Sequence, residues 1–360
     1  MHPDTNPYAR ILRKTQDRLI PFIVHWELTY HCNLQCPHCY VVPAKSGKEL
    51  SLEEVTGVLD ILKQNGTLYV IFTGGEILTR EDFFDIAGYA REKGFALRLL
   101  TNGTLIDGTT ADRIRDLNPL TVEISLYGSK AETHDRITGC PGSFERSLNA
   151  LRLLNERELR TVVKSLTMRE NVSEFRRLKQ LAQEIGSQFL YDTVIIPKTD
   201  GSMEPCSLRL NREELYSLLY PEVQETNMDR TYREDDLSCS AGLNAFSISP
   251  YGDVYPCAGF KESGGNVRNQ SISEIRHSPI FSRIRSITLS DLRECRECEL
   301  IPYCNRCPAL AWMESGNLLG RSQANCLLAA VIRSIVHEKR RRTGLEIRTP
   351  TSAHNAGRME

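Results

Sequence analysis

The stretch Phe22-Ile-Val-His-Trp-Glu-Leu-Thr-Tyr30-His-Cys32-Asn-Leu-Gln-Cys36-Pro-His-Cys39-Tyr40 decides the fold. Residues 22–30 alternate and are rich in β-forming side chains, which predicts a strand. That strand delivers three cysteines in a C-x3-C-x2-C run. An odd number of thiols leaves one unpaired in any disulfide scheme, and soft thiolates select iron–sulfur clusters. A four-iron cluster has four corners, so three protein ligands leave one iron open to a small molecule. The competing reading is a structural zinc knuckle. Such sites usually join one C-x2-C pair to a second close by, and the next such pair here is distant, at Cys295 and Cys298.

Working outward, Ser51-Leu-Glu-Glu54 reads as a helix cap with Glu at the third helical position, and Asn65-Gly66 as its stop. Strand 68–72 then ends in Thr73-Gly74-Gly75-Glu76. A helix over 80–93 precedes strand 95–100, which ends in Thr101-Asn102-Gly103. A helix over 108–117 precedes strand 121–126, with Ser125 near its end. Helix 143–157 is followed by strand 160–166, and helix 173–185 by strand 189–196. Six β/α alternations with short connections predict an α/β fold with a parallel sheet and outer helices. The cysteine loop, Gly74-Gly75-Glu76, Thr101-Asn102, Ser125 and Tyr127 all fall at strand C-termini, where barrel enzymes build their sites.

Near residue 200 the character changes. Pro197, Gly201 and Pro205 punctuate the chain, and the charged run 229–236 reads as a linker or exposed loop. Of twelve cysteines, seven lie between 239 and 326, and Cys140 and Cys206 stand apart from both groups. With no export signal at the N-terminus, this usage predicts a reducing, cytoplasmic setting and metal binding. A net charge of −1 gives no general attraction to nucleic acid. No run of 18 apolar residues predicts a membrane span. The basic run Lys339–Arg342 reads as a solvated helix end, favoured there by the helix dipole. Residues 344–360 are polar and read as a frayed tail.

The Cys32/Cys36/Cys39 spacing, with Tyr40 following, resembles the radical SAM superfamily. The resemblance implies a partial (β/α)6 TIM-like barrel over 22–200. It implies a [4Fe-4S] cluster on Cys32, Cys36 and Cys39, whose open iron chelates S-adenosylmethionine and cleaves it to a 5′-deoxyadenosyl radical. Tyr40 is placed near the adenine, and Gly74, Gly75 and Glu76 match the family's Gly-Gly-Glu element, with Ile77 where Pro is usual. Glu76 is expected to accept from the methionyl ammonium, Ser125 to contact the ribose, and Arg136 or Arg146 to pair the carboxylate. Lys164 is a further expected neighbour of the cofactor. The order Cys239-x12-Gly252-x4-Cys257, Cys295-x2-Cys298-x5-Cys304-x2-Cys307, Cys326 resembles the SPASM extension of such enzymes, with one spacing of x2 in place of x3. By that resemblance Cys295, Cys298, Cys304 and Cys326 fully ligate a distal auxiliary cluster. Cys239, Cys257 and Cys307 ligate another, leaving a corner for Cys206, a noncysteine group or substrate. Paired zinc on the two C-x2-C units is the alternative.

The expected divisions are an arm (1–21), the barrel (22–200), a bridging segment (201–236), the cysteine-rich SPASM domain (237–330), and a C-terminal helix with tail (331–360). The expected function is hydrogen abstraction from a ribosomal precursor peptide, giving a crosslink, thioether, epimer or other oxidation. The alternatives are an anaerobic sulfatase-type maturase, disfavoured by Ala258 after Cys257, and a tetrapyrrole enzyme of the haem d1 kind. An iron–sulfur electron-transfer protein is the non-enzymatic alternative. Expected partners are the peptide and a flavodoxin or ferredoxin reductant. A separate leader-recognition protein is a further expected partner, because about 20 residues before the first strand are too few to bury a core.

Overall fold

The computed structural model describes residues 6–42, 47–224, 233–260 and 262–343. The chain forms two compact units, one of Met1–Leu210 with Leu237–Ile287, the other of Asn211–Asp236 with Thr288–Glu360.

In the first unit α1 (Pro7–Asp17) leads into β1 (Ile23–Thr29). There follow α2 (Leu52–Gln64), β2 (Tyr69–Gly74), α3 (Phe83–Glu92), β3 (Ala96–Thr101), α4 (Gly108–Leu117) and β4 (Thr121–Ser125). Next come α5 (Ala131–Thr138), α6 (Ser143–Asn155), β5 (Thr161–Leu166), α7 (Phe175–Glu184) and β6 (Gln188–Asp192). Beyond β6 lies α8 (Arg212–Leu219), in the second unit; β7 (Ala245–Ile248), β8 (Asp253–Tyr255) and β9 (Gly265–Asn266) return to the first. Two short helices, α9 (Ile272–Arg276) and α10 (Pro279–Ser286), close it.

The sheet runs β6-β5-β4-β3-β2-β1-β7-β8-β9. Its first six strands pair in parallel, as the β/α alternation requires. The two faces of the sheet differ in burial. Val24, Trp26, Leu28, Val70, Phe72, Leu97, Leu99, Val122 and Ile124 alternate along four strands and are at most 1% exposed. Trp26 and Phe72 are direct cross-strand neighbours, their rings 6.5 Å apart. Trp26→Ala empties the largest fully buried side chain and should destabilise by about 3–5 kcal/mol, read by denaturant melting.

Ser51 and Glu54 form the reciprocal cap expected of them at the start of α2. Among the elements outside the sequence reading are α5 and β7. Helix α5 begins at Lys130 with no side-chain cap, so it carries no start signal, and it stops at left-handed Gly139. Strand β7 is only four residues long, yet it pairs in parallel with β1 and extends the sheet on its other side. The cysteine-rich segment expected at 237–330 is therefore shared, 237–287 with the sheet and the rest with the second unit.

In the second unit α8 packs on α12 (Gln323–Thr343), and α11 (Pro308–Ser315) precedes it. Tyr216 on α8 bonds Glu338 through its hydroxyl. Lys339 donates to the Val223 carbonyl at 2.7 Å and sits 5.0 Å above the Tyr220 ring. Arg342 pairs Glu338 one turn back at 2.6 Å. The basic run thus ends a helix, as read, but its lysine is also a packing group. Residues 229–232 of the charged stretch and the tail 344–360 lie outside the described residues.

Candidate active site

The loop after β1 is fixed to the loop after β2 by its backbone. Gly75 N–H donates to the Thr29 carbonyl at 2.7 Å and Glu76 N–H to the His31 carbonyl at 2.8 Å. A Cβ at Gly74, whose φ is +132°, would stand 2.3 Å from the Thr29 oxygen; one at Gly75 would stand 2.2 Å from the His31 oxygen. The close approach these glycines permit is to the chain that leads into the cysteines. Glu49 caps the same bend, accepting from Thr29 Oγ1 and Tyr30 N–H.

Glu76 is fully buried. Its Oε1 accepts from Thr101 Oγ1 at 2.6 Å and Leu78 N–H at 3.1 Å, and its Oε2 from Asn102 N–H at 2.6 Å. Burial raises its pKa, and those three bonds oppose the rise. In the fold this carboxylate holds the end of β3. Asn102 carries the link onward: its Nδ2 donates to Asn33 Oδ1 at 2.8 Å and lies 4.0 Å from Cys32 Sγ. Glu76→Ala would strand three buried donors and should cost about 2–5 kcal/mol, visible as a lower melting temperature and a disordered 101–104 turn in hydrogen exchange.

Cys32 is exposed, Cys36 and Cys39 are half-buried, and all three thiols are free. Burial, then the neighbouring Cys39 and Cys32, push the Cys36 thiol up to about 12. Cys32 is raised by burial first, with Glu76 and Cys39 adding to it. The loop is braced at Gln35 N–H by the Thr138 carbonyl, 2.8 Å away at the end of α5. Behind it His38 packs edge-on to Tyr127, ring centroids 4.4 Å apart, and Tyr127 stacks on His134. Burial lowers both histidines to about 4, so they are neutral.

Tyr40 is half-buried and its hydroxyl donates to Glu27, which Tyr30 also meets at 2.8 Å. Glu27 is a nearly buried carboxylate on β1, raised chiefly by desolvation. Its position in the period-2 alternation was readable; its partner Tyr40 was not, because it comes from the far side of the cysteine loop. Ser125 lies at the end of β4 beside Lys164 of β5. Lys164 itself reaches Glu123 at 3.4 Å. Arg136 is 53% exposed on α5 and pairs Glu170 at 3.4 Å, while exposed Arg146 donates to Cys140 Sγ at 3.2 Å.

In the second unit four thiols lie close enough to interact electrostatically. Burial, then Cys326, Cys295 and Cys298, push Cys304 up to about 11. Cys326 is raised by burial and by the same two neighbours. Backbone turns Cys298→Cys295 (2.9 Å) and Cys304→Ile301 (3.1 Å) hold the pairs. Cys307 caps α11, its Sγ accepting from Leu310 N–H at 3.4 Å. In the first unit Cys239 accepts from Ala241 N–H at 3.4 Å, and Cys257 lies just beyond β8. Gly252 turns the β7–β8 hairpin at φ +88°, with its missing Cβ 3.0 Å from Asn266 and Val267. Cys206 points at the Ile195 carbonyl, 3.8 Å away.

Among the described residues no three His, Cys, Asp or Glu side chains are placed to hold one metal ion. The thiols nevertheless sense one another. A parallel α/β sheet with free thiols on the loop after its first strand and a second set beyond it defines a cluster-bearing enzyme.

Residues 26–182 match the Radical SAM superfamily and residues 239–308 the iron–sulfur cluster-binding domain SPASM. The chain is 27% identical over 331 residues to an AdoMet-dependent heme synthase of Methanosarcina barkeri, covering 83% of this chain and 94% of that one. It is 31% identical over 273 residues to a mycofactocin maturase of Mycobacterium tuberculosis, covering 70% and 68%. Its fold is shared with Streptococcus suis SuiB bound to the precursor peptide SuiA, at a TM-score of 0.69 and 17% identity, covering 89% and 81%. The chain belongs to the radical SAM superfamily and carries a SPASM domain. It is an enzyme whose cofactors are S-adenosylmethionine and iron–sulfur clusters. No described helix is long and apolar enough to cross a membrane.

Proposed function

We propose that this enzyme abstracts hydrogen from a residue of a ribosomally made precursor peptide. The carrying observation is the match to a mycofactocin maturase, 31% identical over 70% of this chain and 68% of that one; a Fe-coproporphyrin III synthase of higher identity, 34%, matches only 50% of this chain. The cluster on Cys32, Cys36 and Cys39 supplies, when bound, the electron that cleaves S-adenosylmethionine to a 5′-deoxyadenosyl radical.

The chain's own part is positional. Gly74, Gly75 and Glu76 lock the cysteine loop to the ends of β1, β2 and β3, so the three thiols keep one arrangement. Tyr40 is pinned on Glu27, which sets the start of the segment after Cys39. Ser125 ends β4 on the face opposite the packed helices, where it supports a ribose contact. Cys295, Cys298, Cys304 and Cys326 hold one auxiliary cluster, in keeping with their mutual approach. A flavodoxin or ferredoxin supplies electrons. Cytoplasmic reducing conditions fit twelve cysteines with no disulfide among the described residues.

The second reading is action on a tetrapyrrole, favoured by the match that spans 94% of a heme synthase. The two are separated by turnover. The reconstituted enzyme with a candidate precursor peptide should form 5′-deoxyadenosine several-fold faster than without it. Stimulation by Fe-coproporphyrin III, with none by peptide, would establish the second reading instead.

A further inference from the structure

The face of the sheet opposite the packed helices carries charge where a barrel interior is ordinarily filled with bulky branched side chains. Register places its members. His25 pairs with Ile71, Ile71 with Arg98, and Arg98 with Thr121. Thr121, Glu123 and Ser125 then share a face by the two-residue period, and Ser125 pairs with Lys164. His25, Arg98, Glu123, Ser125 and Lys164 therefore line one surface spanning β1 to β5.

At its centre is Glu123, whose side chain is 1% exposed. Arg98 meets Glu123 Oε1 through both Nε, at 2.8 Å, and Nη2. Lys164 Nζ lies 3.4 Å from Oε2. The carboxylate is buried, but its partners are not: Arg98 is 37% and Lys164 48% exposed. Two cations share one carboxylate, which leaves one positive charge. His25 adds none, because burial first, then Arg98 and Lys164, lower its pKa. Glu27, on the same face, is enclosed by Tyr30 and Tyr40. Asp192 stands at the outer edge on β6 and accepts from Val194 N–H.

We propose that Arg98 and Lys164, held by Glu123, form a subsite for a carboxylate of the substrate. A monoanion balances the surplus charge; a dianion would crowd Glu123 with excess negative charge. The guanidinium fork suits a carboxylate, and the half-buried setting strengthens the pair relative to open solvent. This deepens the functional reading above and rests on it. A peptide Asp or Glu and a porphyrin side chain offer the same chemistry.

The test measures binding to the reconstituted holoenzyme in two arms. One titrates Fe-coproporphyrin III and its tetramethyl ester by the shift of the porphyrin absorption band. The other selects random nonapeptides displayed on phage and counts Asp and Glu in the survivors. The expected result is carboxylate preference in at least one arm, ten-fold or more for acid over ester or a clear acidic enrichment. Lys164→Gln should reduce that preference about ten-fold, while Arg98→Lys, which keeps the charge beside Glu123, should retain part of it. Preference in the porphyrin arm alone upholds the subsite and counts against the peptide reading. No acid preference in either arm, or full preference in Lys164→Gln, overturns the subsite.

Discussion

With Cys32, Cys36 and Cys39 all changed to alanine, the reconstituted enzyme will keep about two thirds of its iron and form no 5′-deoxyadenosine. Three four-iron clusters correspond to about twelve irons per chain, and the variant lacks the ligands of one. The selectivity comes from the fold. The three residues sit on one surface loop, so their loss removes no buried side chain. The four thiols Cys295, Cys298, Cys304 and Cys326 belong to the other compact unit and should load as before. Iron analysis and anaerobic turnover read both halves of the result. Deoxyadenosine formation by the triple variant would show that the cofactor cluster lies elsewhere.

Gly75→Ala will have nearly as large an effect, through a single methyl group. Its Cβ would meet His31 O at 2.2 Å, His31 C at 2.7 Å and Tyr30 C at 3.0 Å, all of them backbone atoms. Backbone cannot swing aside as a side chain can, and two hydrogen bonds hold the strands at that distance. We expect a cost of about 3 kcal/mol or more, and loss of deoxyadenosine formation as the cysteine loop is pushed off β2. Gly57→Ala and Gly88→Ala, in α2 and α3 with nothing within 4 Å of the added atom, are the controls. They should stabilise by about 0.5–1 kcal/mol. A Gly75→Ala enzyme that melts and turns over like the parent would refute the account of how the loop is held.

The parallel sheet was legible because each of its first six strands is local: an apolar run bounded by a helix stop before and a turn after. Helix α2 shows this best, since Ser51 and Glu54 announce its start and Asn65-Gly66 its end. Strand β7 was not legible. Four residues carry little pattern, and its pairing with β1 joins segments more than 200 residues apart, which no local signal encodes. Helix α5 lacked a cap and so lacked a start.

The site divides in the same way. Cysteine spacing is a covalent pattern and reads directly from sequence. The hydrogen-bond partners of Glu76 do not, because Thr101 and Asn102 reach it only once β2 and β3 are paired. Arg136 and Arg146 were expected through the resemblance and the affinity of arginine for carboxylates; in the fold each also has a partner of its own, Glu170 and Cys140. Arg98, Glu123 and His25 drew no attention because their meeting depends on the register of five strands. Lys164 was named as a cofactor neighbour, and its visible partner is Glu123.

The central claim is that the radical formed here takes a hydrogen atom from a peptide. Its most direct measurement uses a candidate precursor peptide with deuterated side chains, the reconstituted enzyme, S-adenosylmethionine and a chemical reductant, followed by mass analysis of the 5′-deoxyadenosine. The account predicts deuterium in the deoxyadenosine and its loss from one peptide residue. Unlabelled deoxyadenosine from a peptide that is nonetheless bound, with deuterium transfer from a labelled porphyrin in its place, would contradict it.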